Sequence, residues 1–328
     1  MIVSWREARE ADLGVCLKAH PHSLGHEIIG RSRAMGVWKD LLHNPAFVCR
    51  VVVEERPDGP PRILGFGSSV FVTPEFAEAE TKNPRWGIVS RIIAGIANDE
   101  PTVLSRREIA RANASQGLDA VFLSTPWWET SNSLEFAEMM MASVRSCVEA
   151  HAGYRLRSCL VEASGEQARS VGASSGGFTT IKDFNDVNRV LLGLRKEHAA
   201  SVSTNVANIL FHYREPVLGL GEADQQLLIA ALRGPVDRQL ADGMNVSLAS
   251  VKKRWRTIYS RVEDKMPELF AGVDADTDGK RGPQKRHLVL NYMREHPEEL
   301  RPFAWVQPTR RITIRARPQN RQEVSPAP

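Results

Sequence analysis

The sequence predicts an α+β protein: a mixed-sheet domain in the N-terminal half, followed by an all-helical domain. Three observations carry this reading. Up to about residue 185, short apolar runs of strand character alternate with amphipathic stretches of helical period. Past residue 186 the strand-like runs stop and helical spacing takes over. Charge divides along the chain too. Residues 1–219 hold 24 Lys and Arg against 25 Asp and Glu, whereas residues 280–328 hold 11 against 4. The net charge of +4 is therefore local, which points to a polyanionic partner more than the total does.

Taken in order, "IVSWREA" reads as a strand and "EADLGVCLKAH" as a helix with Leu13, Val15, Cys16 and Leu17 near one side. "GRSRAMGVWKDLLHN" gives a second helix. "AFVCRVVVEE" and "RILGFGSSVFV" flank the turn "RPDGPP" and read as a hairpin of long strands. "FAEAETKNPRWGIVSRIIAGIANDE" is helical in parts, and "SRREIARANASQG" is a helix ended by Gly117. "LDAVFLSTPWW" is a buried strand. In "SLEFAEMMMASVRSCVEAHAG" the residues Phe136, Met139, Met140, Val144, Cys147 and Val148 recur at helical spacing, as a core face does. "YRLRSCLVEA" is a strand, and "GEQARSVGASSGGFTTIKDF" a short helix, a Gly/Ser-rich turn and a closing strand.

The expected divisions are a mixed domain over 1–185, a helical linker over 186–214, a DNA-binding domain over 215–270, a loop and accessory helix over 271–306, and a disordered basic tail over 307–328. That tail combines five basic residues with four prolines. No run approaches the roughly 18 apolar residues that span a bilayer, so no membrane partner is expected. Arg6, Glu7 and Arg9 stand where a signal peptide needs an apolar core, and the expected location is the cytoplasm. Cys16, Cys49, Cys147 and Cys159 are scattered without a CxxC pair, which suits buried reduced thiols rather than disulfides or a metal.

Residues 220–262 carry the strongest pattern. Leu227, Leu228, Ala231 and Leu232 form the apolar face of one helix, ended by Gly234 and Pro235. A short helix over 236–242 presents Leu240 and Ala241, and Gly243 and Asn245 make a turn. Ser247 is placed as N-cap of a third helix with the stripe Leu248, Val251, Trp255, Ile258 and Val262. That stripe leaves Ala249, Lys252, Lys253 and Arg256 on the opposite face. Two short helices joined by a tight turn, the second with a basic face, make a helix-turn-helix suited to a major groove.

These residues resemble the LuxR-type helix-turn-helix. "VSLASVK", Val246 to Lys252, and "IYSRV", Ile258 to Val262, match its signature segments within a framework of Leu220, Asp224, Leu227, Leu228 and Gly234. The resemblance implies a homodimer on double-stranded DNA. Lys252, Lys253 and Arg256 would contact phosphates or guanine edges, Ala249 and Ser250 would lie close to the bases, and Arg238 and Arg254 would clamp the backbone.

The element order of the first 185 residues resembles a GNAT-type acetyltransferase, with "RILGFGSSVFV" as its central strand and "SVGASSGGFTTI" as its late turn. Active members hold a pyrophosphate in a glycine-rich loop before the helix that follows the fourth strand. Here that junction, Thr125 to Glu138, has no glycine and carries Trp127, Trp128 and Glu129. The domain is therefore expected to be non-catalytic, a sensor or scaffold open to a small-molecule effector, with no cofactor and no catalytic residue. Trp127 and Trp128 either line a residual cavity or belong to the core. His20, His22 and His26 lack an evident further metal ligand, so no metal is expected. The expected function is a DNA-binding transcriptional regulator, with an active N-acetyltransferase fused to a DNA-binding domain as the alternative.

Overall fold

The structure, a computed structural model, describes residues 2–19, 26–56, 59–124, 133–165, 177–200, 206–271 and 281–305. Among these lie α+β architecture, a seven-stranded mixed sheet and many helices.

Strands β1 (Ile2–Glu7), β2 (Phe47–Glu55) and β3 (Arg62–Val72) form an antiparallel meander. The β2–β3 hairpin arises where the two β-branched runs around "RPDGPP" were expected to pair. Strand β4 (Leu118–Ser124) joins β3 antiparallel and β5 (Leu156–Ser164) in parallel. Strand β7 (Arg189–Arg195) pairs antiparallel with β5 and with β6 (Thr179–Phe184), giving the order β1-β2-β3-β4-β5-β7-β6.

Between β1 and β2 lie α1 (Glu10–Ala19), α2 (His26–Ile29) and α3 (Arg31–Leu42). Between β3 and β4 lie α4 (Pro74–Lys82), α5 (Ile88–Ala97) and α6 (Arg106–Asn113), and α7 (Ser133–His151) connects β4 to β5. Helix α7 lies across β1, β2 and β3 on one face, while α1, α3 and α5 pack together on the other. Leu13, Val37, Trp38, Val51, Phe66, Ile92 and Ile93 are buried on that second side. Burying one large apolar side chain contributes on the order of 2 kcal/mol, so this core dominates the stability of the domain.

Residues 186–200 depart from the sequence reading. The expected helical linker is occupied at 189–195 by β7, the strand between β5 and β6. "RVLLGLR" is too short for periodicity to separate a strand from a buried helix, and pairing on both edges decides it. Two short helices follow, α8 (Lys196–Ala200) and α9 (Val206–Leu210).

The C-terminal part contains α10 (Glu222–Ala231), α11 (Asp237–Gly243), α12 (Leu248–Lys265) and α13 (Arg281–Glu295), with a core of its own around Leu227, Leu228, Val251, Trp255, Ile258 and Met293. Gly234 has φ +87° and Asn245 φ +51°, so the left-handed turns fall at the residues that favour them. Ser247 Oγ accepts from the Ser250 amide at 3.1 Å and caps α12. Val251, Trp255, Ile258 and Val262 are buried. Leu248, placed in the same stripe by spacing, is instead 40% exposed because it begins the helix ahead of the packed turn.

The two parts are joined by the strap 296–305. Arg301 donates to the Ala152 carbonyl at 2.8 Å and the Ala150 carbonyl at 3.2 Å, at the C-terminus of α7, and its guanidinium stacks over Tyr154. Asn113, buried at the end of α6, donates to the Pro302 carbonyl, and the Ala304 amide donates to the Ala110 carbonyl. The buried Glu299 carboxylate accepts from the Val217 and Leu218 amides. Among the described residues no helix is long and apolar enough to cross a membrane.

Candidate active site at the parting of two strands

The sheet contains one parallel pair, β4 and β5, and the pair is only partly zipped. Register runs from Leu118 opposite Leu156 to Phe122 opposite Val161 and stops there. Both strands continue, β4 through Leu123 and Ser124 and β5 through Glu162, Ala163 and Ser164. Each keeps its outer neighbour, since Ser124 lies opposite Ser68 of β3 and Ser164 opposite Arg189 of β7. Among the described residues, the inner edges of the two strand ends thus carry no rung between them. An extended ligand bearing amide groups can enter such a gap as an additional strand.

A second irregularity falls at the same place. Ser68 pairs with Ser124 while Ser69 pairs with Phe122, so Leu123 is the extra residue of a bulge in β4. A bulge takes its extra residue out of the ladder and re-aims the local backbone. Backbone N–H groups outside a ladder are the donors that stabilise a developing oxyanion during acyl transfer.

Side chains close the gap from both faces. On the α5 face, the Glu162 carboxylate accepts from the Gly87 amide at 2.6 Å and the Ile88 amide at 3.0 Å. An anion at a helix N-terminus meets both the free N–H groups and the positive end of the dipole. This ties the parted end of β5 to α5. Trp86, next to that N-terminus, is 54% exposed. On the same face the buried hydroxyls of Ser68 and Ser124 lie 2.7 Å apart. On the α7 face, Val161 and Ala163 form a small apolar cluster with Val190, Leu192, Phe122 and Phe178.

Below the parting sits a buried Ser–His pair. His151 Nδ1 lies 2.8 Å from the Cys147 carbonyl, which can only accept, so the proton resides on Nδ1. Nε2 then accepts from the Ser69 hydroxyl at 2.8 Å. Burial pushes the His151 pKa down to about 4, with the Arg301 and Arg50 charges acting in the same direction. The ring is neutral and packs edge-on to Phe122, the residue of β4 at the last rung. With both members almost wholly buried, the pair braces the site rather than meeting solvent.

None of the residues singled out in the sequence for DNA lies at this gap. Ala249, Ser250, Lys252, Lys253, Arg254 and Arg256 are on α12, and Arg238 is on α11. Ala249, Lys252, Lys253, Arg256 and Arg238 are exposed; Ser250 and Arg254 are half-buried. The Ser250 hydroxyl is engaged with Ser247 Oγ at 2.8 Å. Trp127, Trp128, Glu129, His20, His22 and the tail 307–328 lie outside the described residues, while His26 begins α2. Glu162 was missed, although an acidic residue inside the apolar run "CLVEA" is a readable signal. The parting and the bulge leave no local signal, because each depends on register between distant segments.

No family model and no curated protein matches this sequence. A solved structure similar to it is that of FeeM, an N-acyl amino acid synthase from uncultured soil microbes. The TM-score is 0.29 and the identity 11%, over 61% of this chain and 93% of that one. The expectation of a non-enzymatic, DNA-binding transcriptional regulator is corrected on this finding, since the similar structure bears the name of an enzyme. The physical reason for the error is specific. A missing glycine-rich loop speaks to how a pyrophosphate is held, not to whether the sheet opens between β4 and β5.

Proposed function

We propose that the mixed-sheet domain is a GNAT-type N-acyltransferase, which moves an acyl group from a thioester to the amine of a small acceptor. The single observation that carries this is the parting of β4 and β5 after Phe122 and Val161. The strand order, with its lone parallel pair, supports the GNAT-type resemblance of the first half. The proposal rests on this strand geometry and not on the degree of likeness to any solved chain.

In this reading the thioester arm lies between the strand ends, with its amides against the inner edges of β4 and β5. The acceptor nitrogen attacks the thioester carbonyl, and the oxygen takes up negative charge facing the backbone around Leu123. The C–N bond forms in that attack; collapse of the tetrahedral intermediate then breaks the C–S bond and releases the thiol, which takes the proton the amine gives up. Glu162 positions β5 for this through α5.

The test is thermal melting and thiol release with a panel of acyl-thioesters and amino acid amines. A thioester at about 100 times its Kd raises Tm by about 5–10 °C. A flat melting temperature at millimolar thioester, together with no thiol release, overturns the reading.

The exposed cations of α12 support double-stranded DNA as a partner of this enzyme, bound by two copies of the chain through Lys252, Lys253 and Arg256. Such binding falls with salt, and the double substitution Lys252→Ala/Arg256→Ala, which removes two cations from each of the two copies, lowers the slope of log affinity against log salt by about 4. An unchanged slope removes DNA from the proposal and leaves the acyl-transfer reading intact.

A further inference from the structure

A concavity lies in the seam between α7, α9, the segment that follows it and the strap. Its volume is about 430 Å³, within the range of small-molecule sites, which favour the junctions between domains. Its floor is apolar: Val148 comes from α7, Ala152 from the turn just past its end, and Ile209, 54% exposed, from α9. Its rim carries opposite charges. Arg214 and Glu295 are both exposed on the cavity, and among the described residues neither has an ion-pair partner. Glu298, also lining it, is buried and already bonded to His296 Nδ1 at 2.9 Å.

The wall is held by a close backbone contact. Gly153 has φ +81°, and a Cβ there would lie 2.7 Å from the Glu298 Cα. Only a residue without a side chain lets the strap approach α7 this closely, and that approach brings Glu295 and Arg214 to the same opening.

We propose that this cavity binds a free α-amino acid with an apolar side chain, its carboxylate on Arg214, its ammonium on Glu295 and its side chain on the Val148–Ala152–Ile209 floor. The chemistry excludes simpler occupants. A purely apolar ligand leaves both rim charges without a partner, a lone anion meets the repulsion of Glu295, and a lone cation that of Arg214. The two walls belong to different parts of the chain, so an occupant strengthens the docking of the strap and links the helical part to the sheet domain. The inference is independent of acyl transfer, because no residue that lines the cavity belongs to β4 or β5.

Calorimetric titration of the full chain tests it with L-leucine, 4-methylpentanoate (which lacks the ammonium) and isoamylamine (which lacks the carboxylate). Leucine binds at least about three- to fivefold more tightly than either analogue, and Arg214→Ala or Glu295→Ala each weakens leucine by a similar factor. Ile209→Asp removes binding, while the response of Tm to acyl-thioesters is unchanged in all three variants. Absence of heat at millimolar leucine overturns the proposal, as do analogues that bind as well as leucine. Unchanged leucine binding in Arg214→Ala/Glu295→Ala overturns it too, by placing the ligand elsewhere. In each case the thioester measurement stands separately, so failure here is distinguishable from failure of the acyl-transfer reading.

Discussion

The two ends of the β4–β5 pair are held in opposite ways. At the N-terminal end, Asp119 of β4 is 3% exposed and forms a bidentate ion pair with Arg157 of β5, and Ser158 Oγ donates to the same carboxylate at 2.6 Å. The hydrogen bond to Asp119 holds the Arg157 guanidinium above its ordinary pKa. At the C-terminal end the strands carry no rung after Phe122 and Val161. One end is locked by charge, and the other is held open by attachments to helices.

The strongest way to break this comparison is at the locked end. Asp119→Ala leaves Arg157 without its carboxylate in a half-buried place and removes the acceptor of Ser158. Losing one partner of a buried ion pair costs about 4 kcal/mol, and Tm falls by about 10 °C in urea-free melting. A loss below about 1 kcal/mol would show that the N-terminal end is held by apolar packing alone.

The last rung gives the next largest effect, and it depends on pH. His151 packs against Phe122 and has its pKa lowered to about 4 by burial. The unfolded chain protonates this ring near pH 6.5, and the folded chain refuses the proton until about pH 4. The stability that comes from keeping the ring neutral is complete above pH 6.5. It is lost progressively as pH falls to 4, and the loss levels off below that. The total is on the order of 3 kcal/mol. Urea unfolding at pH 7, 5.5 and 4 measures it, with His151→Gln as the reference that lacks this slope. Equal slopes in the two proteins would detach His151 from the rung.

The same contrast separates what could be read in the sequence from what could not. Val251, Trp255, Ile258 and Val262 are buried at the spacing that marked them, because a helix face is a local pattern. The hairpin β2–β3 was readable for the same reason. Strand β7 was not, since "RVLLGLR" becomes a strand only by pairing with β5 and β6. The candidate site was still less readable. Phe122 and Val161 are 39 positions apart, and no feature of either segment says that pairing stops there. The strap was invisible because Arg301 and Asn113 act through backbone carbonyls, which no side-chain pattern announces.

The smallest effect on stability should come from the open end, through Glu162→Gln. The glutamine keeps a carbonyl oxygen that can accept from the Gly87 or Ile88 amide but lacks the charge that faces the N-terminus of α5. Loss of charge at such a site costs about 1 kcal/mol, so Tm falls by about 2–4 °C. The consequence for ligand binding is larger relative to that cost. If the tie to α5 sets how far β5 stands from β4, the substitution lets the strand end relax toward its neighbour and narrows the gap. The acyl-thioester Kd, read from the concentration dependence of Tm, then rises by about tenfold, while leucine affinity at the junction cavity is unchanged. Glu162→Ala, which removes both acceptors, moves the two quantities further in the same directions. A thioester affinity that stays constant in both variants would mean that the strands part without help from α5, and the open end would owe its shape to the bulge at Leu123.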